Sequence, residues 1–361
     1  MRPEALEAYV EAAQRFPANP GSMHVYGHAA RSALAYGREQ ICAALNFHDG
    51  RLIFTSGGTE ANNLILQSAL ARGIPVRIAR NTHPSCWYAT MESSGQVGVL
   101  PLNRQGLIDR EFLIRELKEH QPTLISVSHA CNETGVVQPV EELADLCERG
   151  GHLLHIDATQ TVGHMPIDLE QIPAHFISFS AHKFGGPRGV GGLLAREAPL
   201  LTSQLHGGSQ EGGLRAGTEN LPAAMATAVA LESAQEGLTS EIPRLRSLAS
   251  TLANTLCSSW SNVLINSDLE KGLPGLVSFC FPGHSGHDLV LELSAEGFAV
   301  SAGSACHAGS VLPSRAVLSM GRTEKEALGS LRVSFGEAST TSSASEFSDR
   351  LLALLHLSSS T

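Results

Sequence analysis

The chain has 361 residues, 42% of them hydrophobic, and a formal net charge of −10. It can therefore bury a large core, exceeds one typical domain in length, and is poorly suited to nucleic acid or anionic membranes as partners. Seven cysteines, odd in number and without a Cys-x-x-Cys pair, fit a reducing, cytoplasmic compartment and give no support to a structural zinc or iron–sulfur site.

The opening residues Met1-Arg2-Pro3-Glu4-Ala5-Leu6-Glu7 are acidic and helix-forming rather than a secretory leader, and no apolar run reaches the length of a bilayer span. Beyond them, Ala61 to Ala71, Pro84 to Ser94, Arg110 to Glu119 and Val140 to Arg149 read as helices. They alternate with the short apolar runs Val76 to Ala79, Val97 to Leu100, Leu124 to Val127 and Leu153 to Ile156. That order predicts a mostly parallel sheet with helices on both faces. Pro222 to Cys257 is helix-rich and leads to a smaller α/β region, with strands at Leu276 to Phe281, Phe298 to Ser301 and Leu331 to Phe335. Its helices are expected at His287 to Ala295 and Ala344 to Leu357, with Ser339 to Ser345 as the opening turn of the latter. The division implied is a large domain over residues 15–240 and a small one made of 1–14 and 241–361.

Three segments carry chemistry. Ser180-Ala181-His182-Lys183 stands between the apolar run Phe176 to Phe179 and a glycine- and proline-rich turn, where a Schiff-base lysine would be wanted. Ser-x-x-Lys also marks serine acyl-enzymes, but Gly185-Gly186-Pro187 cannot continue the helix that chemistry needs, and no Ser-Asp-Asn or Lys-Thr-Gly element accompanies it. A solvated surface lysine is the bland alternative. Upstream, His152 to Asp157 reads as a buried strand ending in a carboxylate. In an open α/β sheet that end faces the same crevice as Lys183, although a strand-end aspartate also serves as a helix N-cap. Pyridoxal phosphate needs such a pair, a lysine for the imine and an acid beside the pyridine nitrogen. Finally, Phe54-Thr55-Ser56-Gly57-Gly58-Thr59-Glu60-Ala61-Asn62-Asn63 runs from strand through glycines into helix, a phosphate cradle or an ordinary turn capped by Thr59. It lacks the Gly-Lys-Ser/Thr ending of a nucleotide P-loop.

These blocks, with Asn132-Glu133-Thr134-Gly135, Gly217-Thr218-Glu219-Asn220 and Ser301-Ala302-Gly303-Ser304-Ala305-Cys306, occur in one order from Asn19 to Gly336. The chain resembles the NifS/IscS-type cysteine desulfurases, pyridoxal-phosphate enzymes of the class V aminotransferase group. The resemblance implies the fold type I architecture of pyridoxal-phosphate-dependent transferases, with a large, mostly parallel α/β domain and a smaller C-terminal one. It implies that Lys183 holds the cofactor and shuttles the substrate Cα proton, Asp157 pairs with the pyridinium, Gln160 meets the phenolic oxygen and His83 stacks on the ring and assists proton transfer. Gly58, Thr59, Ser180 and His182 would take the phosphate, and Thr218 the phosphate of a partner subunit, which makes the enzyme a homodimer with shared active sites. Asn132, grouped with both cofactor and substrate, and Arg332 would hold the α-carboxylate, for which a planar guanidinium is suited.

Cys306 separates a desulfurase from a transaminase, since a thiolate on a glycine- and serine-rich loop can take up the substrate's sulfur. The other cysteines, Cys42, Cys86, Cys131, Cys147, Cys257 and Cys280, sit in apolar or helical stretches that suit small buried hydrophobes. The implied reaction converts L-cysteine to L-alanine and passes sulfur through a Cys306 persulfide to an acceptor protein, for iron–sulfur cluster, thio-cofactor or tRNA thiolation chemistry. Selenocysteine lyase is the near alternative, and a catalytically impaired homologue that binds an acceptor or scaffold is the distant one. Two departures stand out. Nothing before Asn19 matches the family's Asn-Ala-Thr-Thr-like turn, and Gly212 stands where the family commonly has arginine.

Overall fold

The computed structural model describes residues 1–91, 96–119, 122–303 and 312–358. The chain divides into two compact units: residues 1–100, 110–129 and 139–238 form the first, and 101–109, 130–138 and 239–361 the second. The first unit contains α1 (Pro3–Arg15), α2 (Val25–Ala44), β1 (Arg51–Thr55), α3 (Gly58–Ala71), β2 (Val76–Ala79), α4 (Pro84–Thr90), β3 (Val97–Leu100), α5 (Arg110–Glu119), β4 (Leu124–Ser128), α6 (Val140–Gly150), β5 (Leu153–Asp157), β6 (Phe176–Ser180) and β7 (Gly191–Ala195). The long α7 (Leu221–Ser259) begins in the first unit and ends in the second, which adds β8 (Leu264–Ile265), β9 (Leu276–Cys280), α8 (Gly286–Ala295), α9 (Arg315–Ser319), α10 (Glu324–Leu328), β10 (Ser330–Ser334) and α11 (Thr341–Ser358).

In the first unit the strands lie in the order β1-β7-β6-β5-β4-β2-β3. The pairs from β3 through β6 are parallel, and β7 runs antiparallel to both β6 and β1. The strands β4, β6 and β7 are buried at every residue, as expected for a sheet covered on both faces. Ala61, Leu64, Ile65, Leu66 and Ala69 of α3 pack with Ile53, Val76, Ile78, Leu124, Phe176 and Leu193 of the sheet in one apolar core. This core anchors the helix whose N-terminus lies in the glycine-rich segment. The second unit is built on the antiparallel order β10-β9-β8. There Val277, Phe279, Leu331 and Val333 bury against Leu289 and Leu293 of α8, Phe347 and Leu351 of α11, and Leu252 and Leu256 of α7.

Two expectations need correction. Residues 1–14 belong to the first unit rather than the small domain, because the Arg2 N–H donates to the Gly185 carbonyl at 2.7 Å, Arg2 Nε donates to the Phe184 carbonyl at 3.2 Å, and Glu4 is hydrogen-bonded to Ser233 of α7. Phe298 to Ser301 is not a strand; Ser301 alone pairs with Arg332 as an isolated bridge. The chain leaves β10 at once because Gly303 turns it with a φ of 74°. Lys183 lies in a short 3₁₀ turn, Ala181–Phe184, directly after β6, and Gly185 at φ 88° ends that turn.

Arg38 and Glu211 form a largely buried ion pair. Arg38 of α2 holds Glu211 through both guanidinium Nη atoms, at 2.9 and 2.7 Å, and Glu211 also accepts the Phe54 N–H of β1 at 3.2 Å. The positive φ of 48° at Glu211 and 64° at Gly212 is thus fixed against the sheet. Among the described residues no helix is long and apolar enough to cross a membrane.

Among the described residues of the first unit, His129, His152 and His155 are buried imidazoles. His129 receives the Thr161 hydroxyl contact at Nδ1, 3.0 Å, and burial lowers its pKa from 6.5 to about 4. His155 of β5 is likewise held below the ordinary range by burial, which outweighs the attraction of Asp157. An unfolded chain binds these protons near pH 6.5 and the folded chain does so only near pH 4, so stability falls as pH drops through that window. His129 alone accounts for about 3 kcal/mol of the loss. Urea unfolding at pH 7 and pH 4.5 measures it. The expected outcome is a fall of at least that size that is shallower in His129→Gln, and equal slopes in the two proteins would contradict the assignment.

Candidate active site

Backbone register brings the functional segments of the first unit to one edge of its sheet. Ser128 at the end of β4 is opposite Asp157 at the end of β5, and Asp157 is opposite Ser178, two residues before the end of β6. Although β7 separates β6 from β1, Gly191 is paired with both Ser180 and Thr55. A Cβ on Gly191 would lie 2.7 Å from the Gly57 Cα, so only glycine there lets the turn after β1 close over the sheet.

That turn forms a cradle. Gly57 is the N-cap of α3 and supplies no side-chain cap, which leaves first-turn N–H groups and the positive helix end for an anion. A Cβ on Gly58 would lie 2.8 Å from Thr159 Oγ1 and 3.6 Å from Ser180 Cβ. Thr159 Oγ1 is buried and has no hydrogen-bond partner in the protein. Ser180 Oγ contacts His182 Nδ1 at 2.9 Å, and burial, aided by the charges of Lys183 and Arg188, holds His182 below the ordinary histidine pKa. The Thr59 side chain is exposed at the start of α3. A space bounded by Gly58, Thr159, Ser180 and His182, with an orphaned hydroxyl and a helix N-terminus, fits a phosphate.

Asp157 fits the pyridine nitrogen of the same cofactor. It is buried, its Oδ1 accepts the Thr159 N–H at 3.0 Å, and its Oδ2 accepts Asn62 Nδ2 at 2.9 Å. Both donors are neutral, so the carboxylate keeps its charge for a cation. Asn62 Nδ2 also donates to Ser85 Oγ at 2.9 Å, and Ser85 Oγ meets His83 Nδ1 at 2.7 Å. His83 and Asp157 are thereby joined through two intermediate side chains. Gln160 is half-buried in the turn after β5, and Lys183 is exposed on its 3₁₀ turn. The Arg2 contacts described above brace that turn from its far end. They place an N-terminal segment beside the lysine even though it lacks the expected Asn-Ala-Thr-Thr-like turn.

Thr218 is exposed and receives Asn19 Nδ2 at 3.4 Å. It is not linked to the Asp157 and Ser180 groups by any described hydrogen bond. At Gly212, a Cβ would lie 2.3 Å from Arg51 Nη1. The guanidinium of Arg51 occupies the space beside this turn, so the vicinity keeps a positive charge despite the glycine.

The remaining predicted groups lie in the second unit. Arg332 of β10 donates through Nη1 to the Asn132 carbonyl at 2.8 Å, while its Nε is buried without a hydrogen-bond partner. Asn132 therefore enters through its backbone, and the open guanidinium donor suits a carboxylate oxygen. Burial lowers the Arg332 pKa, opposed by the charges of Glu133 and Cys131. Glu133 accepts the Ser314 hydroxyl at 2.6 Å, and burial raises its pKa against the pull of Ser314, Arg315 and Arg332.

Cys306 lies outside the described residues. The chain reaches that segment through Ser301, bridged to Arg332, and Ala302, whose carbonyl accepts Ser330 Oγ at 2.9 Å. Among the other cysteines, Cys86, Cys131, Cys147 and Cys280 are buried as expected, but Cys42 is half-buried and Cys257 is exposed near the end of α7. Burial pushes Cys147 up to about 12 and also raises Cys131 and Cys280, so these thiols are poor nucleophiles. Residue types alone did not single out Thr159, Asn62, Ser85 or Glu133. Asn62 and Glu133 stand inside the quoted blocks, and Thr159 lies between two assigned residues, but Ser85 carries no sequence signal of its own.

The chain is similar in sequence and fold to known proteins. The cysteine desulfurase IscS of Dictyoglomus turgidum is 34% identical over 345 residues, covering 93% of this chain and 87% of the relative. IscS of Pectobacterium carotovorum is 35% identical over 332 residues, covering 89% and 81%. A solved NifS-like protein superposes with a TM-score of 0.88 at 29% identity, covering 99% of this chain and 96% of that one. The aminotransferase class-V family model matches residues 1–347, and the chain belongs to that family.

Proposed function

We propose that the protein is a pyridoxal-phosphate-dependent cysteine desulfurase that turns L-cysteine into L-alanine and carries the sulfur away on Cys306. The observation that carries this reading is the convergence at one sheet edge of a buried carboxylate, a lysine on a braced turn and an uncapped helix N-terminus with an orphaned hydroxyl beside it. When bound, the cofactor supplies an electron sink that labilises the Cα–H bond and the Cβ–S bond.

The chain's own groups do the rest. Gly58, Thr59, Thr159, Ser180 and His182 hold the phosphate, and Asp157 keeps the ring nitrogen protonated. Gln160 meets the phenolic oxygen, and His83 covers the ring. Arg332, with Asn132, fixes the substrate carboxylate, and Lys183 Nζ takes the Cα proton and delivers it. The Cys306 thiolate attacks the substrate sulfur: the Cβ–S bond breaks, an S–S bond forms on Cys306, and Cβ takes up a proton to become the methyl group of alanine. The persulfide then passes to an acceptor protein of iron–sulfur or thio-cofactor biosynthesis.

The protein works in the cytoplasm as a homodimer in which Thr218 completes the partner's phosphate site. The exposure of Thr218, and of the apolar side chains Met23, Val25 and Tyr26 that follow its partner Asn19 in sequence, at 91%, 71% and 68%, supports that contact. It rests on the resemblance as well as on these surfaces.

Three experiments test the reading. Borohydride treatment of the cofactor-loaded protein should fix the cofactor on the peptide containing Lys183, as read by mass spectrometry; attachment at another lysine, or failure to take up the cofactor, would overturn the enzyme assignment. In a cysteine assay, Cys306→Ser should bind substrate with the wild-type spectral change yet form no persulfide. Unaltered alanine output from this variant would remove Cys306 from the mechanism. Arg332→Ala should weaken cysteine binding by about 2–5 kcal/mol, the scale for removing one partner of a desolvated charge pair, and an unchanged KM would show that the carboxylate is held elsewhere.

A further inference from the structure

The hydrogen bonds under the sheet edge of the first unit can be assigned a direction from chemistry alone. The Ser85 backbone N–H lies 3.1 Å from His83 Nδ1, and a backbone amide can only donate, so Nδ1 carries no hydrogen. Ser85 Oγ, 2.7 Å from the same nitrogen, must then donate its own hydrogen to it. It can do so because it accepts one from Asn62 Nδ2 at 2.9 Å. The orientation of the Asn62 amide is fixed by Asp157, since the flipped amide would set its carbonyl oxygen against the carboxylate oxygen now 2.9 Å from Nδ2.

With Nδ2 spent on Ser85 and Asp157, Asn62 Oδ1 is the acceptor of the Ser178 hydroxyl. Ser178 Oγ in turn accepts from His155 Nε2 at 3.2 Å, and His155 Nδ1 accepts from Ser126 Oγ at 2.9 Å. His155 is wholly buried, where a neutral ring with one donor and one acceptor nitrogen satisfies both hydroxyls. Every link from Ser126 to His83 thus donates in the same direction. Ser126, Asn62, Ser85, His155 and Ser178 are all buried, so solvent does not compete for these bonds.

We propose that the Ser85 backbone amide holds His83 as the neutral tautomer that carries its hydrogen on Nε2, and that the one-way chain, with Asn62 as its junction, fixes the ring's position and ties it to the carboxylate of Asp157. The nitrogen that bears a histidine's proton is set by the bond its other nitrogen makes. Asn62 and Ser85 are therefore positioning residues: they hold the His83 ring so that its Nε2–H is the hydrogen presented to the site. The assignment of roles rests on the cofactor reading above, whereas the tautomer does not.

Neutron diffraction from the perdeuterated full-length protein, with and without pyridoxal phosphate, reads the hydrogens directly. The expected result is deuterium on His83 Nε2, none on Nδ1, and the Ser85 deuteron directed at Nδ1. Deuterium on Nδ1 in either form would overturn the proposal. A protein that takes up no cofactor yet shows this pattern would sink the enzyme reading and leave the chain standing. In the loaded enzyme, Ser85→Ala should lower kcat on the order of tenfold, the scale on which outer-shell partners act, with KM for cysteine unchanged and with rescue by Ser85→Thr. Wild-type kcat in Ser85→Ala would show that Ser85 does not position His83.

Discussion

A carboxylate buried at the end of a parallel strand and held only by neutral donors is costly unless a cation meets it. Asp157 is in that position. Its two described partners, the Thr159 amide and the Asn62 carboxamide, orient the carboxylate without cancelling its charge. Under the proposed reading a protonated pyridine ring would supply the missing charge, and the protein would gain an electron sink in the same contact. Asp157 lies on a central strand between β4 and β6, both buried at every residue.

Close backbone approach is the second constraint. Gly191 allows the turn after β1 to meet the end of β6 across an antiparallel strand, and Gly58 leaves the volume that a Cβ would fill beside Thr159 and Ser180. A larger residue at Gly58 would occupy the phosphate space itself. The Lys183 turn is held by a different device, the backbone and guanidinium of Arg2 on the Phe184 and Gly185 carbonyls. Chain segments far apart in sequence thus fix the three parts of the cofactor site separately.

Most of the parallel sheet was legible because its strands are short apolar runs between amphipathic helices: β2 and β3 match the expected residues, and β4 and β5 extend them by one. Among the helices and strands of the first unit, two escaped. β7 is Gly-Gly-Leu-Leu-Ala, too short and too poor in β-branched residues to read as a strand, and it exists because its glycines pack against the Gly57 turn and the Phe179 ring. α2 buries mainly small residues, such as Ala30, Ala33 and Gly37, so its apolar stripe is faint. In the site, Lys183, Asp157 and the glycine turn were legible as chemistry, and the roles of Gln160, Thr218 and Arg332 came through the resemblance. The chain from Ser126 to His83 could not be read in advance, because serine and asparagine are common everywhere and only the three-dimensional register of β4, β5, β6, α3 and α4 brings them together.

The central claim is that Asp157 keeps the cofactor ring protonated. The most direct measurement is the ¹⁵N chemical shift of ring-labelled pyridoxal phosphate bound to the full-length protein. The account predicts a protonated pyridine nitrogen in the wild type and an unprotonated one in Asp157→Ala with the cofactor still bound. An unprotonated nitrogen in the wild-type protein, or a protonated one in Asp157→Ala, would contradict it.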